Sequence, residues 1–268
     1  YVETRLDEML IGDIQGRRAN LVILCGNAGD GKTAFLQNLA TRLGFEPGPS
    51  SQRLWDFRLP DGLRLKANLD GSASYQGRTA SELLEEFFGP FTTSSFPDSV
   101  VHLVAINDGP LLAWLREHED SYLSTQLLPA MGTLGDQPSD ARIRFIDLNA
   151  RSLVGAGERD LGESFLERLL DKILGEHREA WLACASCTAQ TRCQAWGSVQ
   201  ALRDPERGPI VRRRLARALR AVHQRGETHI TARGLRGALT YIFFGTDYCT
   251  DLHAAPDHTP PPYFERAF

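Results

Sequence analysis

The residues with the clearest chemical meaning form one glycine-rich stretch, residues 26–33, which reads Gly-Asn-Ala-Gly-Asp-Gly-Lys-Thr. It matches the pattern G-x-x-x-x-G-K-[ST], in which the glycines let successive backbone N–H groups turn toward a chain of phosphates. In that pattern the lysine reaches the outer phosphates and the final hydroxyl binds Mg²⁺. We therefore predict a site for ATP and Mg²⁺, with Thr33 at the metal and the nucleotide bound by Gly26, Asn27, Ala28, Gly29, Asp30, Gly31, Lys32, Thr33 and Ala34.

The lysine of this stretch supports the match to the motif, because lysine is rare in the chain. Of the 30 basic residues, the lysines are Lys32, Lys66 and Lys172, and the others are arginine. One of the three lysines therefore lies where the pattern requires it. The alternative interpretation, a glycine-rich turn without a ligand, does not explain that placement.

Hydrolysis of a bound nucleotide also requires a carboxylate that holds Mg²⁺ or orients water, usually at the end of a neighbouring strand. Asp108 comes just after the apolar run 100–106, and Asp70 ends the weaker run 63–69. Asp147 lies inside a predicted strand and fits this role less well. Turn formation is the alternative role of an aspartate at a strand end.

The elements that must position these residues alternate between strand and helix over the first 150 residues. Such alternation predicts an α/β fold with a parallel sheet covered by helices on both faces. Predicted strands span 21–25, 53–59, 63–69, 100–106 and 142–148, and predicted helices span 34–43, 79–88 and 111–116. The segments 53–59 and 63–69 form a hairpin or two neighbouring strands.

After residue 150 the strand patterns nearly stop and helical patterns dominate, over 161–174, 209–223 and 231–244. We therefore predict three parts: a nucleotide-binding α/β core over 1–150, a smaller all-helical domain with a cysteine-rich insertion over 151–252, and a proline-rich tail or linker over 253–268. Both ends of the sequence suggest a piece of a longer protein.

A cluster of cysteines lies in the helical part, with the spacing Cys184-x2-Cys187-x5-Cys193. The first spacing is typical of a zinc knuckle, and tetrahedral Zn²⁺ needs a fourth ligand. The candidates for that ligand are Cys249, His253 and His177. With Cys249 in the site, the fifth cysteine, Cys25, remains as a small apolar residue of the first strand. The alternative is a set of unconnected thiols in a loop.

A predicted helix in the same region is rich in arginine. Its polar residues are Arg212, Arg213, Arg214, Arg217 and Arg220. A solvated face is the commonest meaning of such a run. The functional alternatives are contacts with DNA phosphates or with a nucleotide bound to a neighbouring subunit.

The overall composition describes a soluble globular chain. It has 268 residues, 42% of them hydrophobic, and a formal net charge of −4, with a mean hydropathy of −0.28. No apolar run near the start approaches the roughly 20 residues needed to cross a bilayer, and no signal peptide pattern precedes the first strand. We therefore expect a cytoplasmic protein without a membrane partner.

The motifs taken together resemble an AAA+ ATPase over nearly the whole chain. The resemblance depends on the 26–33 loop, the pattern Val-Ala-Ile-Asn at 104–107, the segments 110–112 and 144–148, and the helical C-terminal part. It implies that Asn107 is the sensor that positions water, that Asp70 binds Mg²⁺, and that Asp108 is a turn residue. Asp70 is followed by Gly71 rather than by the glutamate usual in that superfamily.

The resemblance also implies a second sensor arginine at the start of the helix near residue 231, with Arg233 preferred over Arg236. The 26–33 loop is followed by Ala-Ile-Asn-Asp-Gly at 105–109, the cysteine cluster, Ile-Thr-x-Arg-x-Leu at 230–235 and Tyr-Ile-Phe-Phe-Gly at 241–245. This series resembles the ATPase component of bacterial DNA restriction systems that depend on phosphorothioation, or a related defence ATPase. It implies a DNA-directed role with partner proteins of the defence system or as a homo-oligomer. One alternative hypothesis is a non-hydrolysing, STAND-like regulatory module. A small-molecule kinase is a weaker alternative, because the sequence shows no acceptor-site motif.

Overall fold

The computed structural model describes two compact units, and the division along the chain falls between Arg151 and Ser152, with Val2 assigned to the second unit. Each unit has its own hydrophobic core. The residues that the structure describes are 1–45, 52–59, 61–132, 137–155, 164–176, 178–224, 229–245, 248–255, 257 and 259.

The first unit is an α/β structure built around one sheet of five strands in its described part. The strands are β1 (Leu21–Cys25), β2 (Leu54–Arg58), β3 (Arg64–Asn68), β4 (Val100–Ile106) and β5 (Ile143–Asp147). The helices are α1 (Arg5–Gln15), α2 (Lys32–Arg42), α3 (Ala80–Phe88), α4 (Asp108–Glu117) and α5 (Tyr122–Gly132).

The strand order is β2-β3-β4-β1-β5, and the four strands β3, β4, β1 and β5 run parallel to one another. β2 pairs with β3 in the antiparallel direction. The expectation of a parallel sheet is therefore confirmed for four strands, and β2 forms with β3 the hairpin that was one of the two interpretations of 53–69. The cause is the short turn after β2, where Leu59 N–H donates to Leu63 O at 2.7 Å. A connection this short joins antiparallel strands, whereas parallel strands need a long crossover.

Helices pack on both faces of the sheet, as the alternation predicted. Val22 and Leu24 of β1 belong to the core beneath α1 and α2. Leu21 and Ile23 belong to the core beneath α3, α4 and α5. A strand buried on both faces has no polar side, which explains why β1 is a continuous apolar run.

The carboxylate of Asp140 connects the segment before β5 with the first residue of α5. Asp140 accepts hydrogen bonds from Arg142 Nη2 at 2.7 Å, from Arg142 Nε at 3.1 Å and from the hydroxyl of Tyr122 at 2.9 Å. The Arg142 side chain is the largest cause of a lowered pKa of Asp140, which falls to about 2.

We expect Asp140→Asn to lower the free energy of unfolding at neutral pH by about 1 kcal/mol, allowing for solvent screening. Because the folded pKa lies below the unfolded value of about 3.9, this stabilisation is complete above that value and is lost as the pH falls toward 2. Urea unfolding at pH 6 and pH 2.5 checks this: the difference between wild type and variant should shrink at the lower pH. Substitution of the exposed Asp120 by Asn is the matched control. A difference independent of pH would contradict the role of the charge.

The described residues of the second unit form helices and no strand. Its core takes residues from the helices over Phe165–Asp171, Arg178–Ala185, Gln194–Arg203, Gly208–Gln224 and Ala232–Phe244. The predicted helix over 161–174 begins at Phe165 and changes at Lys172 into a π-helical turn. His253 and Ala254, the first residues of the predicted tail, belong to the helix over Cys249–Ala254. The helices are α6 (Phe165–Asp171), α7 (Arg178–Ala185), α8 (Gln194–Arg203), α9 (Gly208–Gln224), α10 (Ala232–Phe244) and α11 (Cys249–Ala254).

Within the described part of the chain, no helix has the length and apolar character needed to span a membrane.

Candidate functional site

The glycine-rich loop lies at the carboxyl end of the central strand. β1 has β4 on one side and β5 on the other, and the loop leads from β1 directly into α2. The order of strands reverses around β1, and in open α/β sheets ligands bind beyond the carboxyl ends of the strands at such a point. The topology therefore places residues 26–31 where a ligand site is expected.

The backbone of the loop requires its glycines. Gly26, Gly29 and Gly31 have φ angles of +155°, +99° and +89°. A Cβ on Gly26 would also lie 2.9 Å from a carboxylate oxygen of Asp30. That carboxylate accepts the Asn27 N–H at 2.6 Å and so holds the loop in its turn.

Gly31 is the N-cap of α2 and has no side chain to cap the helix. The first N–H groups of a helix have no acceptor within the helix, and they form its positive end. A phosphate can accept these hydrogen bonds, so the start of α2 fits an anion.

The ammonium of Lys32 lies against the loop. Its Nζ donates to the carbonyls of Gly26 at 2.5 Å and Asn27 at 2.9 Å, and to the side-chain oxygen of Asn107 at 2.8 Å. Burial lowers the pKa of Lys32, and nearby acidic groups, Asp30 foremost, oppose that shift. The structure thus brings together the lysine of the loop and the asparagine after β4, both of which the sequence predicts as site residues.

Thr33 lies on the first turn of α2 and is exposed. Its hydroxyl is 3.4 Å from the carbonyl oxygen of Leu69. Because Asp70 is the next residue, the carboxyl end of β3 meets the start of α2. This places the predicted magnesium hydroxyl and one of the two candidate acids in the same region.

The carboxylate of Asp70 has local partners. Its Oδ1 accepts the N–H of Ser72 at 3.1 Å, and its Oδ2 lies 3.5 Å from Nη2 of Arg53. Half of its side chain is nevertheless exposed, at 49%. Asp70 therefore has the turn role that was the alternative interpretation and also stays accessible to a metal ion.

Asp108, which the resemblance implies is a turn residue, makes two side-chain contacts at the end of the sheet. It is the first residue of α4, which begins three residues earlier than predicted. Its Oδ1 accepts the thiol hydrogen of Cys25 at 2.8 Å, and its Oδ2 accepts Nδ2 of Asn149 at 2.8 Å. Burial first, and then this carboxylate, raise the pKa of Cys25. Asp108 thus links the end of β1 to the end of β5.

Two residues of the site were not singled out from the sequence. Asn149, just after β5, accepts the N–H of Asn27 at 3.2 Å and donates to Asp108. Ser72 accepts the backbone N–H of Asn107 at 3.0 Å. A signal for Asn149 exists, since polar residues follow β3, β4 and β5 at equivalent positions. Asp147 instead accepts the N–H of Asn149 at 2.8 Å, which is a turn contact.

The predicted arginines of the second unit lie mostly on its surface. Arg233, in the first turn of α10, is exposed, as is Arg236. On α9, Arg213 and Arg214 are exposed. Arg212 instead forms ion pairs with two carboxylates of the same unit, Glu167 at 3.1 Å and Asp171 at 2.6 Å.

The four predicted zinc ligands, Cys184, Cys187, Cys193 and Cys249, line one small cavity of about 30 Å³ together with His253. Among the described residues, no three Cys, His, Asp or Glu side chains are already drawn together at metal-binding distances. The alternative candidate His177 lies outside the described residues.

Comparison of the chain with protein families, with curated proteins and with solved structures finds no match. The geometry of the site is therefore the basis for assigning a function.

Proposed function

We propose that this protein is a P-loop nucleoside triphosphatase with an AAA+-like fold, which binds ATP with Mg²⁺ at residues 26–33 and hydrolyses it. The observation that carries the proposal is the position of Lys32, whose ammonium is held against the loop by two loop carbonyls and by Asn107. An ammonium at the start of a helix, beside a loop of positive-φ glycines, matches the charge and shape of a polyphosphate.

Each residue of the site has a role in this proposal. The backbone N–H groups of the loop and of the first turn of α2 bind phosphate oxygens, and Lys32 neutralises the outer ones. The exposed hydroxyl of Thr33 is a ligand for Mg²⁺, which offsets phosphate charge when bound. Asn107, whose side chain already contacts Lys32, positions the attacking water. Asn149 and Asp108 hold the loop in place from the side of β5.

Asp70 is the better of the two candidate acids for Mg²⁺, because the residue before it contacts Thr33. We expect Asp70→Asn to lower turnover about tenfold, with a raised Mg²⁺ requirement. Asp108→Asn should change turnover less, since its carboxylate is bound to Cys25 and Asn149. Phosphate release measured over a range of Mg²⁺ concentrations compares the two variants directly. The reverse ranking would assign the metal to Asp108.

A second candidate function is a non-hydrolysing, STAND-like regulatory module, in which the bound nucleotide holds one conformation. The specific observation in its favour is that both candidate acids are already engaged, Asp70 with Arg53 and Asp108 with Cys25 and Asn149. Tight ATP binding without phosphate release would support this candidate over the ATPase.

The wider role is proposed from the resemblance to defence ATPases. The helical second unit acts as a lid whose Arg233 senses the nucleotide, and the protein works in the cytoplasm as a homo-oligomer or with defence partner proteins on DNA. The exposed Arg213 and Arg214 of α9 support a contact with DNA phosphates.

The test is ATP binding by calorimetry and phosphate release by the full chain, each with and without duplex DNA. Turnover that DNA raises supports the DNA-coupled ATPase. ATP binding and turnover that are both undetectable at millimolar nucleotide would overturn the proposal.

A further inference from the structure

The cysteines of the second unit come from two distant parts of the sequence and meet at one cavity. Cys184 lies in the last turn of α7, Cys187 follows that helix, and Cys193 is the N-cap of α8. Cys249 is the first residue of α11. All four line the same cavity of about 30 Å³, a volume on the scale of one water molecule or one ion.

Tight backbone turns connect the first three cysteines. The N–H of Cys187 donates to the carbonyl of Cys184 at 3.3 Å, and the N–H of Gln190 donates to the carbonyl of Cys187 at 3.1 Å. The N–H of Cys193 then donates to the carbonyl of Gln190 at 3.2 Å. These successive turns keep the chain compact between Cys184 and Cys193, and all three cysteines line the same cavity.

The surroundings of the thiols are otherwise largely apolar. Ala189, Trp196 and Leu252 also line the cavity. Four thiolates in such surroundings need a bound cation to compensate their charge.

We propose that Cys184, Cys187, Cys193 and Cys249 bind one structural Zn²⁺ ion. Four thiolates in tetrahedral geometry are a typical structural zinc set, and soft sulfur ligands favour zinc over magnesium or calcium. The proposal depends on the second unit alone and does not rest on the proposed ATPase activity.

His253 supports the site without being one of the four ligands. Its Nε2 lies 3.5 Å from Sγ of Cys187, which suits an N–H donor to a zinc-bound thiolate. Hydrogen bonds of this kind orient the ligand and offset part of its charge. The same distance also fits an edge of a zinc tetrahedron, about 3.5 Å for one sulfur and one nitrogen ligand. His253 is therefore the residue that competes with Cys249 in the test below.

The ion would join two short segments of the second unit. α11 has six residues, and Leu252 is its buried side chain. Arg192 binds the carbonyls of Leu252 and Ala255 and so attaches α11 to the turn before α8. Helices shorter than about 12 residues are marginal in isolation, so a metal bridge between α11 and the α7–α8 turn stabilises this corner of the unit.

The first measurement is the metal content of the full chain purified without added zinc or chelator. We expect about one zinc per chain. Titration of the thiols with a mercurial reagent should release that zinc into a chromogenic chelator. Replacement by Co²⁺ should give the intense visible bands of tetrahedral cobalt with sulfur-to-cobalt charge transfer.

Variants identify the ligands. Cys184→Ser and Cys249→Ser should lose the metal, whereas His253→Gln should retain it with roughly tenfold weaker affinity. Cys25→Ala is the matched control, since it removes a thiol of the first unit and should leave the zinc content unchanged. If the cysteine variants fail to fold, the zinc content and the cobalt spectrum of the wild type still decide whether the chain binds the metal through sulfur ligands.

Two results would overturn the proposal. A zinc-free wild type that yields no tetrahedral cobalt spectrum would remove the site altogether. Retention of zinc by Cys249→Ser with loss in His253→Gln would show that the ligand set is wrong.

Discussion

Lys32→Ala is expected to lower ATP affinity and turnover at least about a hundredfold. The ammonium of Lys32 contacts the loop, where it donates to the carbonyls of Gly26 and Asn27. Without it, those two carbonyls and the carboxylates of Asp30, Asp70 and Asp108, which raise the Lys32 pKa, leave a site of negative potential. Such a site repels a triphosphate.

Calorimetric titration with a non-hydrolysable ATP analogue and a phosphate-release assay measure the two effects separately. Lys66→Ala is the matched control, because Lys66 lies on β3 of the same unit and forms an ion pair with Glu86 at 3.3 Å. Removal of that ion pair should leave nucleotide binding unchanged. Equal ATP affinity in wild type and Lys32→Ala would mean that the loop is a glycine-rich turn and not a nucleotide site.

Asn107→Ala is expected to reduce turnover about a hundredfold while changing ATP affinity by only a few-fold. The Asn107 side chain lies at the end of β4 and contacts Lys32 at 2.8 Å, so in the proposed function it lies beside the outer phosphate without contributing charge. Asn107→Asp is nearly isosteric and should act differently. Its carboxylate would pair with Lys32 and repel phosphates, so ATP affinity should fall as well.

The comparison of kcat with KM and with the ATP dissociation constant separates these outcomes. Asn20→Ala is the matched control, since Asn20 lies at the opposite end of β1 and donates to the carbonyl of Pro97 at 2.8 Å. If Asn107→Ala and Asn20→Ala reduced turnover equally, Asn107 would have a structural role only. If Asn107→Ala weakened ATP binding as much as turnover, its role would be in binding the nucleotide rather than in positioning water.

Much of the sheet could be predicted from short patterns. The predicted strands over 21–25 and 100–106 coincide with β1 and β4. A strand buried on both faces needs apolar residues at successive positions, and such a run is easily recognised in a sequence. α1 was not predicted, although its buried Leu10, Ile11 and Ile14 are spaced along one face of a helix. α5 contains Pro129 inside the helix, and such a proline normally indicates a helix end.

The sequence by itself determined the glycine-rich loop, its lysine and the strand before it, since all lie within about a dozen residues and depend on local backbone geometry. Only the tertiary structure decided which groups share the site. Asn149 meets Asn27 across 122 positions of the chain, and Asp108 meets Cys25 across 83. These contacts depend on the order of the strands, which places β4 and β5 on either side of β1. Local propensity does not encode that order, because it results from burial of the whole sheet between two layers of helices.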